Sequence, residues 1–436
     1  MHNPFIETNL TIIDSVMGRG KSTWAINLIN STPEENYIIV VPTLEECSRY
    51  KESITRLSYE PREAETTESV KTLQDRFKSL AIEHKTIITT HRMLECLDVE
   101  SMEILRHRNY TLILDEVTDL VRPFDGITKR DYELLLNDNV VSEELQSDGV
   151  TKVVTGTKAY SDIVNGGLKH SVFTEAVKTG NMYRVKNTFF ILVGSTERFR
   201  VFDAVYILTY LFKGSVMDAW LTYHGDEYEL KSIENGELVN YRDAGGAEFK
   251  HLVNIETDKC LNKVGRGNNL SSSWYKNAKP EYLREMKTNI EVFFRRHSVK
   301  PADCLWSVFK EKALSIAPAR YTTTCKGLPL KKAMLIKDPL ERAEKLCFTA
   351  INTRATNNYK HKTAVAVCVN YYAYPSIISF FQEVGVEFNQ DRYALSELIQ
   401  LVWRCRIREA KEIRLYLPSE RMRYLLNLWL GNELLN

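Results

Sequence analysis

The chain reads as an α/β protein made of two tandem parallel-sheet domains, with an insertion in the first. Three observations point there. Short β-branched apolar runs alternate with polar helical stretches through residues 1–120, the same alternation resumes after residue 280, and a stretch rich in Gly, Asn and Ser separates the two. A length of 436 residues, 44% hydrophobic and 26% charged, suits two or three domains with cores of their own and excludes a disordered or fibrous chain.

In the first domain (1–233), strands are expected over Thr11 to Ser15, Tyr37 to Val41, Thr86 to Thr89 and Thr111 to Leu114. Helices are expected over Ser22 to Ile29 and Leu44 to Leu57, which gives the βαβ rhythm of a right-handed open sheet. From about 118 to 188 the rhythm gives way to turn-rich sequence such as Asn137-Asp138-Asn139 and Asn165-Gly166-Gly167, read as an irregular insertion. Residues 112–149 carry ten acidic against three basic side chains, so this part should face away from a polyanion. Phe189 to Val193 and Val205 to Leu208 are expected to close the first sheet. Residues 234–280 read as a connector. The second domain (281–436) should hold a helix over Tyr282 to His297 and strands over Cys304 to Phe309, Cys347 to Asn352 and Thr363 to Asn370. It should end with helices over Ser376 to Glu383, Ala394 to Arg408 and Glu420 to Leu430, with a strand over Glu412 to Leu417.

Lys+Arg 58 against Asp+Glu 57 leaves a formal charge of +1. A polyanionic partner must then be held by a local basic cleft, and a histone-like role is excluded. The longest apolar runs fall far short of the ~18 residues of a membrane helix, and the N-terminus lacks a basic flank with an apolar core. A cytoplasmic protein is expected, in the host cytoplasm if viral. Eight cysteines without a CxxC pair suggest buried reduced thiols, neither zinc knuckle nor disulfide framework, and the nine histidines show no metal-ligand spacing.

Two segments carry chemistry. Ser15-Val16-Met17-Gly18-Arg19-Gly20-Lys21-Ser22-Thr23 lies between an apolar strand and a helix. Gly18 and Gly20 let backbone N–H groups surround phosphate oxygens, the helix N-terminus faces them, Lys21 reaches the β- and γ-phosphates, and Ser22 is a Mg²⁺ ligand. Leu112-Ile113-Leu114-Asp115-Glu116 is an apolar strand ending in two carboxylates. There Asp115 can hold Mg²⁺ while Glu116 orients and deprotonates the attacking water. Together they read as a site for ATP and Mg²⁺.

Ser15 stands where the phosphate loop usually begins with Gly, which fits the [AS]xxGxGK[ST] variant of helicase-type ATPases. With the further motifs below, the chain resembles superfamily 2 helicases of the DEAD/DEAH-like type met in bacteriophage replication and recombination. That resemblance implies two RecA-like domains and an ATP-driven helicase or translocase. Val41-Pro42-Thr43 and Thr89-Thr90-His91 resemble strand-gripping motifs, and Arg354-Ala355-Thr356-Asn357 resembles the fifth helicase motif. Pro42, Thr43, Thr89, Thr90, His91, Arg354, Thr356 and Asn357 are thereby implied to contact nucleic acid. The coupling motif is implied at Thr209 or, alternatively, at Gly194-Ser195-Thr196. Gln400-Leu401-Val402-Trp403-Arg404-Cys405-Arg406-Ile407-Arg408 resembles the QxxGRxxR motif, with Trp403 in place of the glycine. On a helix Gln400, Arg404 and Arg408 share one stripe. By resemblance Arg404 or Arg408 is the arginine finger that reaches the γ-phosphate.

Residues 262–300 carry nine basic against three acidic side chains, and Trp274 and Tyr275 are available for stacking. The implied partner is single-stranded or forked nucleic acid, DNA before RNA, alongside replication or recombination proteins. A DNA-packaging-type ATPase motor and a nucleotide-gated binding protein without unwinding are the alternatives.

Overall fold

A computed structural model describes residues 9–63, 72–117, 120–157, 172–325, 327–351 and 358–433. Their contacts divide the chain into two units. One takes in the N-terminus to Asp14, Lys21–Tyr241 and Ala373–Gln390; the other takes in Ser15–Gly20, Arg242–Tyr372 and Asp391 to the C-terminus.

The first unit opens with strands β1 (Leu10–Asp14), β2 (Asn36–Val41), β3 (Ser58–Tyr59), β4 (Thr86–Thr90) and β5 (Tyr110–Asp115). After β6 (Val121–Phe124), β7 (Val141–Leu145), β8 (Thr151–Gly156), β9 (Met182–Val185) and β10 (Phe189–Val193), the chain returns as β11 (Ala204–Thr209), β12 (Glu229–Glu234) and β13 (Glu237–Asn240). The main sheet has the order β13-β12-β1-β11-β5-β2-β4-β3, parallel except for the β12–β13 pair. Alternate residues serve opposite faces, as the period of two requires. Ile12, Ile38, Val40, Leu112 and Ile207 enter one core, and Ile13, Ile39, Val41, Ile113 and Leu208 the other. Both faces are covered, which is why these strands read as continuous apolar runs.

The expected class therefore holds, but four expectations need correction. Between Val121 and Val193 the described strands form a five-stranded antiparallel sheet, β6-β10-β9-β8-β7, and Phe189–Val193 lies there instead of closing the first sheet. Its core holds Tyr132, Val141, Val154, Met182 and Phe190. The acidic composition is partly internal: Glu143, nearly buried, accepts hydrogen bonds from Tyr132 (2.9 Å), Lys152 (2.6 Å) and Arg184 (2.7 Å). Burial works to raise the Glu143 pKa, yet these bonds outweigh it and hold the carboxyl below its ordinary range.

The second correction concerns 234–280. Asn235 and Gly236, with φ of 52° and 85°, make the tight turn between β12 and β13. Further on, Leu252, Val253, Leu261, Val264, Leu270 and Tyr275 are buried. This stretch belongs to folded cores, because its apolar residues are spaced among the glycines that suggested a connector.

The second unit has one parallel sheet of β14 (Val253–Ile255), β15 (Cys304–Val308), β16 (Phe348–Ala350), β17 (Ala364–Val367) and β18 (Ile413–Tyr416), in the order β14-β18-β17-β15-β16. The helix Pro375–Glu383, expected within this domain, groups with the first unit. Phe380 packs on Trp220 and Tyr223 at ring distances of 5.9 and 5.4 Å. This is the third correction.

The fourth is the helix expected to run to Arg408, which ends at Val402; Arg406–Glu409 is a separate 3₁₀ turn. Leu401 through Cys405 are all buried, and five consecutive buried residues cannot share one face of a helix. Trp403 is clasped between Phe249 (5.3 Å) and Trp429 (5.0 Å), which draws the chain off the helical path. The stripe of Gln400, Arg404 and Arg408 therefore does not form.

One buried contact fixes the strand ends of the first unit. Asp14, 3% exposed at the end of β1, accepts the backbone N–H groups of Leu211 (3.0 Å) and Phe212 (2.9 Å), just past β11. The Ser232 hydroxyl donates to its carbonyl (3.0 Å). Asp14→Asn would leave one amide facing an N–H₂ group. A loss of about 1–3 kcal/mol is expected, read as a lowered thermal midpoint with activity assayed below the transition. An unchanged midpoint would show that these bonds do not hold the loop.

Candidate nucleotide site

The loop after β1 has the backbone that a phosphate cradle requires. Gly18 and Gly20 have φ of +89° and +85°, where a side chain would be strained even though nothing lies within 4 Å of an added Cβ. The helix Lys21–Ser31 follows directly. Ser15 is buried, Lys21 and Ser22 are half-buried, and Thr23 is exposed. Arg19 pairs with Glu248 within the second unit, so the loop arginine is engaged by a carboxylate.

At the end of β5, Asp115 Oδ2 accepts hydrogen bonds from Ser22 Oγ (2.9 Å) and from the Tyr50 hydroxyl (2.7 Å), with Arg49 Nη2 at 3.6 Å. The two residues expected to ligate Mg²⁺ are thus brought together. Tyr50 is buried, and burial, followed by the Asp115 charge, pushes its phenol well above its ordinary pKa, so it stays a donor. Among the described residues no three His, Cys, Asp or Glu side chains converge as a metal cage. A hydroxyl and a carboxylate side by side suit Mg²⁺ instead, which keeps several waters and takes its remaining oxygens from phosphates.

Glu116 follows in the left-handed region (φ 69°), and its N–H donates to the Leu208 carbonyl (3.0 Å). Such a conformation is uncommon for a non-glycine residue and turns the Glu116 side chain off the strand line. Thr209 ends β11, whose register pairs Thr209 with Asp14 and Leu208 with Asp115. Leu211, two residues on, is again left-handed (φ 56°). The ends of β1, β11 and β5 therefore carry Asp14, Thr209 and Asp115 on three neighbouring strands.

The remaining expected residues are placed less uniformly. Thr43 caps the helix Leu44–Ser53, its hydroxyl accepting from Glu46 N (3.3 Å), and Pro42 precedes it half-buried. Thr89 is buried in β4, and Thr90 precedes the helix His91–Glu95 without a side-chain cap bond. His91 is buried with Nε2 3.0 Å from the Asp115 carbonyl oxygen, which ties the end of β4 to the carboxylate strand. Gln400 donates to Ser396 Oγ (3.3 Å), Arg404 is buried and Arg408 is exposed. Arg354, Thr356 and Asn357 lie outside the described residues. Sequence reasoning missed Asp14, Arg49 and Tyr50. Asp14 had a signal, an acid closing an apolar strand just before the loop; Tyr50 had none, since an aromatic in a helix reads as core.

Comparison with known proteins adds the relationship. Residues 247–430 match the family model described as the YonV C-terminal Rossmann-like domain, in line with the parallel sheet β14–β18. Among solved structures, the chain is similar to S. tokodaii Xpd4, with 12% identity, coverage of 96% of this chain and 93% of that one, and a TM-score of 0.48. It is also similar to an XPD helicase, with 12% identity, coverage of 96% and 95%, and a TM-score of 0.49. Over 442 residues it is 30% identical to the SPbeta prophage-derived protein YonV of Bacillus subtilis (strain 168), covering 97% of this chain and 98% of that protein. A match of that identity along the whole length means that the chain belongs to the YonV family.

Proposed function

We propose that this protein is an ATP-dependent nucleic-acid helicase or translocase that acts on DNA in phage replication or recombination. The observation that carries the reading is the 2.9 Å bond between Ser22 and Asp115 behind a glycine loop with two left-handed residues. Nothing in a merely structural turn requires a hydroxyl at a helix start, a strand-end carboxylate and two glycines at positive φ to coincide. The prophage origin of the Bacillus relative accords with a phage role.

In this reading the amides of the Ser15–Gly20 loop and the Lys21 ammonium hold the triphosphate of ATP. Bound between Ser22 and Asp115, Mg²⁺ would supply charge neutralisation at the phosphate oxygens. Glu116 positions a water and accepts its proton as the water oxygen bonds to the γ-phosphorus and the bond to the β–γ bridging oxygen breaks. A guanidinium, assigned to Arg404 or Arg408, stabilises the charge on the transferring group. Thr209, on the strand between β1 and β5, is assigned the coupling role when the γ-phosphate leaves. Pro42, Thr43, Thr90 and the segment containing Arg354, Thr356 and Asn357 are assigned to the nucleic-acid strand, while Thr89 and His91, expected there as well, are buried.

Lys21→Ala and Glu116→Gln should each lower phosphate release by about 100-fold or more, while Glu116→Gln keeps its affinity for a fluorescent ATP analogue. Normal turnover in either variant would remove the site. Single-stranded DNA should stimulate the wild-type rate, and a strand-displacement assay separates unwinding from translocation or from nucleotide-gated binding alone.

The two arginines are told apart by burial. Arg408→Ala, at an exposed position, should leave the thermal midpoint unchanged, whereas Arg404→Ala should lower it. A fall in turnover for Arg408→Ala without loss of stability assigns the guanidinium to Arg408. Full activity in both variants would end the arginine-finger assignment.

A further inference from the structure

The basic stretch 262–300 is folded so that the aromatic side chains available for stacking differ from those the sequence suggested. Tyr275 is fully inside: its hydroxyl donates to the Cys368 carbonyl (2.7 Å) and its ring meets Phe309 at 5.6 Å. Trp274 remains half-buried, its ring braced edge-on against Tyr275 (4.9 Å, 82°). Tyr282, 40% exposed, also neighbours Trp274, with the two ring centroids 6.2 Å apart. Two accessible rings are thus set side by side, one of them fixed by the core.

Several basic side chains of the same stretch are uncommitted among the described residues. Lys263, Arg266, Lys276, Lys279 and Arg284 are exposed and form no ion pair among the described residues. By contrast Arg296, further along the same helix as Arg284, is held by Asp258 and Glu256. The loop that carries Arg266 is rigidly tied: Asn370 N–H donates to the Leu270 carbonyl (3.0 Å), and the Tyr372 hydroxyl donates to Asn268 Oδ1 (3.1 Å) under the Arg421 guanidinium, 4.5 Å from the Tyr372 ring.

We propose that Trp274 and Tyr282 form a stacking platform for single-stranded DNA, with Lys263, Arg266, Lys276 and Lys279 holding its phosphates. Cations without carboxylate partners among the described residues, in the same stretch of chain as two pre-placed rings, match a strand that offers a phosphate and a π-face at every nucleotide. A duplex offers no free base faces, and an apolar protein partner would leave five cations uncompensated. The inference rests on the nucleic-acid reading above, and its test separates the two.

The full chain is titrated into a fluorescein-labelled oligothymidylate of about 20 nucleotides, long enough for the usual site size, and anisotropy is followed at several salt concentrations. Trp274→Ala and Tyr282→Ala should each weaken binding by about tenfold, with Trp274→Phe close to wild type. Lys276→Glu/Lys279→Glu should weaken it too and make the salt dependence shallower, by roughly 0.7 in log–log slope for each phosphate no longer held. This charge variant lies on the surface and serves as the test even if Trp274→Ala folds poorly. Wild-type binding that all these variants retain would overturn the platform alone and hand the surface to another partner. A wild type that holds no oligonucleotide even at low salt would remove the functional reading beneath it as well.

Discussion

Ser22 can meet Asp115 only because β1 and β5 run in the same direction with a single strand, β11, between them. Parallel strands deliver their carboxyl ends to one edge of the sheet, so a loop that leaves β1 and a carboxylate that ends β5 arrive at the same height. The intervening strand is locked to both neighbours in register, and it is followed by a loop whose amides close on Asp14. Left-handed residues at Glu116 and Leu211 turn the chain sharply away from β5 and β11. Side chains that would follow the pleat are thereby redirected at the place where chemistry is proposed. The sheet supplies the rigidity, and the backbone outliers supply the aim.

The antiparallel insertion is stabilised in a different way from the main sheet. Its core is small, and one cation organises it: Arg184, 4% exposed, bonds Glu143 and Glu133 while its guanidinium lies 4.8 Å from the Tyr132 ring and 5.8 Å from the Phe190 ring. A buried charge is costly unless its donors are used, and here two carboxylates and the Asn187 carbonyl accept from it. Two acids that composition would place in solvent are therefore partners of a buried arginine. The helix Pro375–Glu383, contributed by a distant stretch of chain, packs on the same unit through Phe380 and through an ion pair from Glu383 to Lys186. Removing that long-range segment would expose Trp220 and Tyr223, so the first unit depends on residues far beyond its main run of sequence.

What the sequence made legible were features with a local cause. The core strands carry β-branched runs because both faces are covered, and Gly18 and Gly20 stand where the phosphate loop needs positive φ. The carboxylate strand could be recognised because an apolar run that stops abruptly at two acids marks a strand leaving the core for the edge of its sheet. What stayed hidden depends on partners distant in sequence. The stop at Val402 is set by Trp403 meeting Phe249 and Trp429, and no residue at the stop itself is a helix breaker. Tyr50 donates to a carboxylate 65 positions away, and nothing near Tyr50 announces it. The hairpin of β12 and β13 was legible in principle, since Asn-Gly is a strong turn signal, here set between Glu234 and Glu237 with Ile233 and Leu238 one step further out. It was masked by the run of glycines that follows it.

Near-neutral overall charge bears on how such a protein can hold a polyanion and let it go. At +1 the whole molecule exerts little long-range pull, and its charge is segregated instead: an excess of acids over 112–149 and of bases over 262–300. On the proposed platform, affinity would come from a small number of phosphate contacts and stacked bases at one place, each breakable on its own. A strongly basic surface would bind a strand tightly in many registers, and every step along it would require breaking many contacts together. If the proposed platform holds the strand, a few cations and two rings would exchange contacts one or two at a time, which suits the proposed stepping through a nucleotide cycle. For the proposed translocation, charge that is local in sequence and carried on a loop tied down by bonds such as Asn370 to Leu270 is therefore more useful than the same charge spread over the surface.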